Sequence, residues 1–103
     1  EICDLPGKAV ENSDLVTTDV WASMGDEEDH ERRKVLFKGY QINKNMMDKA
    51  NKDAIFLHCL PAHRDEEVTS EVIDGPTSRV WEQSHNRLYT TQALLEFLAE
   101  VNV

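Results

Sequence analysis

Positive charge is scarce in this chain. Eleven Lys and Arg stand against 20 Asp and Glu over 103 residues, a net charge of -9. That balance argues against nucleic acid and anionic membrane surfaces as partners, because both are recognised by clustered Lys and Arg. No apolar run is long enough to cross a bilayer, and no segment reads as a signal peptide. Cysteine is reduced to Cys3 and Cys59, too few and too differently placed for a disulfide framework. A cytoplasm-like, reducing compartment is the expectation, and a mitochondrial matrix would leave the same composition. Repeats and low-complexity stretches are absent. What remains is ordinary for a globular protein: 40% hydrophobic and 30% charged residues, enough for one domain with one modest core.

A complete beginning is lacking as well. Glu1-Ile2-Cys3-Asp4-Leu5-Pro6-Gly7 carries neither an initiator Met nor a finished first element. The expectation is a fragment of a longer protein.

The most telling segment follows the apolar run Ala54-Ile55-Phe56-Leu57, which reads as a buried strand over residues 54–58. It opens into His58-Cys59-Leu60-Pro61-Ala62-His63-Arg64: a thiol, two imidazoles and a guanidinium, punctuated by a proline that cannot extend the ladder. In open α/β sheets, ligands bind at the carboxyl ends of strands. An earlier run, residues 15–21, is rich in β-branched and aromatic residues and reads as a second strand. In it Asp19 holds the position that Cys59 holds in the later one. If the strands are parallel, carboxylate and thiol reach the same sheet edge, where they could hold an amine and contact a reacting group.

Between these strands the charges of residues 26–38 sort by sign, acids first. That order complements a helix dipole and sets Glu28/Arg32 and Asp29/Arg33 at i,i+4. The helix has almost no apolar stripe before Val35, so it should lie in solvent, weakly attached, with Gly39 as its stop. Asn43 is placed to cap a helix carrying Met46, Met47 and Ala50. Thr69 is placed to cap a short helix ending before Gly75-Pro76. Residues 79–82 look like a last strand, and a long helix is expected from Ser84 or His85, with Leu88, Leu94, Leu95, Leu98 and Val101 as its apolar side. Arg87 then falls in a first turn, where a cation is disfavoured, which marks it as a functional candidate. Strands alternating with helices indicate an α/β fold, part of a doubly wound, Rossmann-like parallel sheet flanked by helices and truncated at its N-terminal side.

Bland alternatives accompany each candidate. Asp19 could be a turn aspartate, Cys59 a small hydrophobe and Arg87 a partner of Glu82. A structural zinc site from His58, Cys59 and His63 is disfavoured, since adjacent strand residues point to opposite faces and no second cluster completes the ligand set. The same alternation opposes a His58–Cys59 catalytic dyad. His63 reaches the thiol only if the loop folds back. No phosphate-cradling loop occurs anywhere in the chain.

The succession Asp19-Val20-Trp21-Ala22-Ser23-Met24-Gly25, then residues 58–64, then Glu66-Glu67-Val68-Thr69 with Val72-Ile73-Asp74-Gly75-Pro76, then Asn86-Arg87-Leu88 resembles the C-terminal part of the ornithine carbamoyltransferase family. The resemblance implies a partial ornithine-binding domain over residues 1–103. Its final helix, residues 85–103, would pack on an absent carbamoyl phosphate domain. It implies transfer of a carbamoyl group to the δ-amine of L-ornithine, without metal or organic cofactor, in a homo-trimer. By motif, Asp19, Ser23 and Met24 would bind ornithine, with Ser23 and Met24 on a closing loop. Cys59 would sit beside the reacting amine, the Leu60 carbonyl would accept from the carbamoyl nitrogen, and Arg87 would bind the carbamoyl oxygen. It also implies a cis Leu60-Pro61 bond. Two other readings stay open. One is a sibling carbamoyltransferase acting on putrescine or acetylornithine, and the other a non-catalytic amino-acid-binding module of the same fold.

Overall fold

A computed structural model of the chain describes residues 1–23, 25 and 27–101, without the side chains of Glu27 and Glu28. The elements run α1 (Pro6–Val10), β1 (Leu15–Thr18), α2 (Glu27–Leu36), α3 (Lys44–Met47), β2 (Ile55–His58), α4 (Ser70–Ile73) and α5 (Val80–Val101). β1 and β2 pair in parallel, from Leu15 opposite Ile55 to Thr18 opposite His58. This is the α/β arrangement expected, with two strands among the described residues rather than the three read from the sequence. β1 has no strand partner on its outer edge among those residues.

Register is pinned where the strands begin. Asn51 donates its backbone N–H to the Ser13 carbonyl at 2.9 Å. Its side-chain amide bonds the Asn12 carbonyl at 3.0 Å and Asp14 Oδ1 at 2.6 Å. The Ile55 N–H then bonds the Asp14 carbonyl at 3.0 Å, which starts the ladder. A one-residue slip of either strand would turn that strand's side chains over and send its core residue, Val16 or Phe56, out to solvent.

The core forms where Val10, Val16, Ile42, Met46, Met47, Phe56, Val68, Val72, Ile73 and Val80 converge. Phe56, Val68 and Val80 are fully buried at its centre. Asn43 caps α3 as its sequence position predicts, accepting from the Met46 N–H at 3.0 Å. Thr69 holds the N-cap position of α4, yet its hydroxyl makes no capping bond. Asp65 Oδ1 takes over, accepting the Ser70 N–H at 3.1 Å. Gly75 follows α4 because a Cβ there would lie 2.4 Å from the Glu71 carbonyl oxygen.

Two expectations about the last third are corrected. Residues 79–82 do not form a strand, and the long helix begins at Val80 rather than Ser84 or His85. Strand character is confined to one bridge, Phe56 with Ser78. There the Phe56 N–H bonds the Thr77 carbonyl and the Arg79 N–H returns to the Phe56 carbonyl, both at 2.9 Å. The strand preference of Val80 and Trp81 is weak and depends on context. Turning into a helix after the bridge buries Val80 completely and leaves Trp81 53% exposed.

Beyond the turns that carry Gln83 and Arg87 beside β2, α5 leaves the body. Leu88, Leu94, Leu95, Leu98 and Val101 are all exposed along it. Its 22 residues extend about 33 Å at 1.5 Å per residue. The radius of gyration is accordingly 16.4 Å, above the ~13 Å of a compact domain of about 100 residues. No helix among the described residues is long and apolar enough to cross a membrane.

α2 starts at Glu27 among the described residues and lies largely in solvent, as its composition predicts, with Val35 and Leu36 exposed. Its attachment is ionic rather than apolar. Arg33 Nη1 bonds the Trp21 carbonyl at 2.9 Å, and Lys34 Nζ reaches Glu66 at 3.0 Å. The Asp29/Arg33 pair forms at 2.8 Å, while the predicted Glu28/Arg32 pair involves a side chain outside the described residues. Trp21 stacks on Phe37, which meets Tyr40 edge-on, so an aromatic row links the end of β1 to the chain beyond α2.

Replacing Phe56 with Ala would empty the centre of this core. The expected loss is about 3–5 kcal/mol of folding stability, read as a lowered urea midpoint with the slope unchanged.

Candidate functional site at the carboxyl ends of the strands

Parallel pairing carries Asp19 and Cys59, the residues just past Thr18 and His58, to the same edge. The Cys59 thiol donates to Asp19 Oδ1 at 3.3 Å, and the Val20 N–H donates to the same oxygen at 2.7 Å. Both side chains face solvent. The Val20 N–H, and after it the Cys59 thiol, hold the Asp19 carboxyl below its ordinary range. Burial, and after it the hydrogen bond and charge of Asp19, push the Cys59 thiol up. Arg87 opposes that shift with its positive charge. The pair is therefore a carboxylate accepting from a protonated thiol.

Alternation along β2 turns His58 the other way. It is buried and bonds Glu67, which is also fully buried, Nε2 to Oε1 at 3.0 Å. The Leu60 N–H donates to His58 Nδ1 at 2.8 Å. Nδ1 must therefore present a lone pair, and Nε2 carries the hydrogen that Glu67 receives. Glu67 Oε1 also accepts the His63 N–H at 2.7 Å. One buried carboxyl thus spans the loop, holding His58 before it and His63 after it. Between them the Leu60-Pro61 bond is cis and Leu60 has φ 58°. The Gln83 side chain of α5 completes the support by accepting the His58 N–H at 3.1 Å.

Arg87 lies on α5 and lines a cleft of ≈ 460 Å³ with Leu57, Arg79, Gln83, Asn86 and Thr90. Arg87 is not in a first helical turn, contrary to the expectation from sequence. With α5 starting at Val80, Arg87 is well inside the helix and no longer opposes the dipole of a first turn. Its placement beside β2 and its effect on Cys59 keep it at the site. Ser23 is exposed on the segment between β1 and α2, and Met24 lies outside the described residues. A second cleft of ≈ 460 Å³ runs from Asp19 along β1 to Trp21, Arg33 and Tyr40.

His63 does not fold back onto the thiol. Its ring faces His30 at 5.9 Å between centroids, and Glu66 lies between them. The reading from sequence missed this grouping, and it missed Glu67 and Gln83. Regular strand or helix spacing gives no signal for them, because His30 and Gln83 reach their partners from other elements and the contacts of His63 lie within an irregular loop.

A model of the aspartate/ornithine carbamoyltransferase family, for its Asp/Orn-binding domain, matches residues 1–98. The chain is 57% identical over 93 residues to an ornithine carbamoyltransferase of Hydrogenovibrio crunogenus, covering 90% of this chain and 31% of that one. It is 55% identical over 98 residues to one of Burkholderia cenocepacia, covering 95% and 32%. Among solved structures, ornithine carbamoyltransferase from Pyrococcus furiosus superposes with a TM-score of 0.82 at 52% identity, covering 88% of this chain and 29% of that one. The anabolic enzyme from Campylobacter jejuni gives 0.84 at 44%, covering 92% and 31%. A parallel α/β sheet with a polar site at its carboxyl edge is thus the class of structure. The chain belongs to the aspartate/ornithine carbamoyltransferase family, as a match to its Asp/Orn-binding domain. It spans about a third of the length of the curated relatives it matches.

Two measurements test the site itself. In a Cys3→Ser background, the pH midpoint for alkylation of Cys59 should fall in Asp19→Asn, which removes the anion, and rise in Arg87→Gln, which removes the cation. Glu67→Ala should cost about 1–3 kcal/mol for each donor left unpaired, whereas Glu67→Gln keeps an acceptor and should lose clearly less in urea unfolding.

Proposed function

We propose that this chain is the ornithine-side part of an ornithine carbamoyltransferase. The contact that carries the reading is Cys59 Sγ to Asp19 Oδ1 at 3.3 Å, formed at the open edge of a family-matched sheet. Asp19 binds the amino acid end of L-ornithine, and Ser23 and Met24 contact it from the segment before α2. Cys59 lies beside the δ-amine, the Leu60 carbonyl accepts from the carbamoyl nitrogen, and Arg87 holds the carbamoyl oxygen.

In the reaction the neutral δ-amine attacks the carbamoyl carbon of carbamoyl phosphate. The new N–C bond forms, the C–O bond to phosphate breaks, and the amine loses a proton, giving L-citrulline and phosphate. An alkylamine has a pKa of about 10.4, so the site must favour its neutral form, which water exclusion does. Charge gathers on the carbonyl oxygen, where a fixed guanidinium is most effective. No step needs a metal or an organic cofactor.

Phosphate binding needs several cations and backbone donors, and these come from a carbamoyl phosphate domain not contained in this sequence. We infer that α5 packs on that domain, covering Leu88, Leu94, Leu95, Leu98 and Val101, which are exposed here. The working enzyme is a cytoplasmic homo-trimer of amino-acid metabolism, in arginine biosynthesis.

Citrulline formation provides the test. The full-length enzyme carrying this sequence should prefer ornithine over putrescine and acetylornithine, and the present chain alone should give no turnover. Arg87→Ala should lower kcat by about 10²–10³-fold. Robust turnover by this chain alone, or preference for another amine, would refute the reading.

A further inference from the structure

We propose that His30, His63 and Glu66 form a binding site for a borderline divalent cation of the Zn²⁺ type, joining α2 to the turn after β2. The three candidate ligand atoms all lie within 4.8 Å of one another. His30 Nε2 is 2.7 Å from Glu66 Oε2, and His63 Nδ1 is 3.8 Å from the same oxygen. Ligands on a tetrahedral zinc stand roughly 3.3 Å apart, given bonds of about 2.0–2.1 Å. The observed separations straddle that value, so side-chain adjustments alone admit the ion. Two imidazoles and one carboxylate suit Zn²⁺, Ni²⁺ or Cu²⁺ far better than Mg²⁺ or Ca²⁺, which take oxygen ligands. Water would fill the remaining position.

The frame around the ligands is already set. Glu66 donates its N–H to the His63 carbonyl at 3.1 Å, and its own carbonyl accepts from Gln41 Nε2 at 2.9 Å. Arg33 anchors α2 next to His30 through the Trp21 carbonyl. Lys34 is a cation near the site, but its Nζ binds the other carboxylate oxygen, Glu66 Oε1, at 3.0 Å. It is also shared with Glu31 at 3.3 Å. Oε2 stays directed at the two imidazoles. The side chains of His30 and Glu66 are only 28% and 22% exposed, while His63 is 45% exposed and gives the ion an entry path. These residues take no part in the proposed carbamoyl transfer. A bound ion would replace the His30–Glu66 hydrogen bond with coordination, fastening a largely solvent-exposed helix to the loop that carries Cys59.

The thiols are the rival zinc ligands and are removed first. Zn²⁺ and Co²⁺ are titrated into untagged chain carrying Cys3→Ser and Cys59→Ser, followed by calorimetry and by the cobalt visible spectrum. The expected result is one equivalent per chain, with no thiolate charge-transfer band and a Tm that rises with Zn²⁺ concentration. His30→Asn and His63→Asn should each weaken binding at least 10-fold. Circular dichroism without metal shows whether each variant is folded, and the half-exposed His63 is the safer of the two positions. Absence of binding in the thiol-free chain would overturn the proposal. So would an affinity unchanged in folded His63→Asn.

Discussion

Everything at the candidate site depends on the parallel register of β1 and β2. Thr18 opposite His58 makes the next residue on each strand, Asp19 and Cys59, neighbours at the carboxyl edge. The register is enforced from the other end, where Asn51 lashes the two strand entrances together and Val16 and Phe56 enter the core. Pleat alternation does the rest. It turns His58 inward to Glu67 and leaves Cys59 outward, so adjacent residues serve unrelated purposes.

The inward-facing half is what makes the outward half usable. In the loop after β2, the N–H groups of Leu60 and His63 lack backbone acceptors among the described residues. Glu67 and His58 supply the missing ones, accepting from the backbone at His63 and Leu60. Such a buried polar network is stable only while its donors are matched, so each member restricts what its neighbours can be. Cys59 and Leu60 are therefore positioned by residues that never face the solvent side of the edge. The Arg64–Asp74 ion pair and the Asp65–Ser70 contact fasten the same loop to α4 from outside.

Much of this was legible in the residues. The Ala54-Ile55-Phe56-Leu57 run, the Asn43 cap, the sign-sorted charges of α2 and the meeting of Asp19 with Cys59 all follow from local periodicity and spacing. Where the reading failed, long-range partners decided. Val80 and Trp81 look like strand residues, but one bridge at Ser78 exhausts the sheet and the chain winds into α5. Arg87 was singled out for a misplaced first turn and is nevertheless beside the site, since α5 packs against β2. Thr69 has the right chemistry for a cap and is displaced by Asp65, whose φ of 66° aims its carboxylate at the helix start. The His30–Glu66 contact joins residues 36 apart in sequence, and Glu67 reaches back across an irregular loop to His58 and His63, so neither follows from strand or helix periodicity.

The electrostatic balance at the edge also narrows the chemistry. Asp19 sits below its ordinary range and Cys59 above its own, so near neutral pH the carboxylate is charged and the thiol keeps its proton. A protonated thiol is a poor nucleophile. The arrangement therefore disfavours a covalent intermediate on sulfur. The positive charge of Arg87 pulls the thiol towards ionisation, but less than burial and Asp19 push it the other way. With the thiol protonated, no sulfur anion at this edge competes for the Arg87 guanidinium, which leaves it open to the role proposed for it.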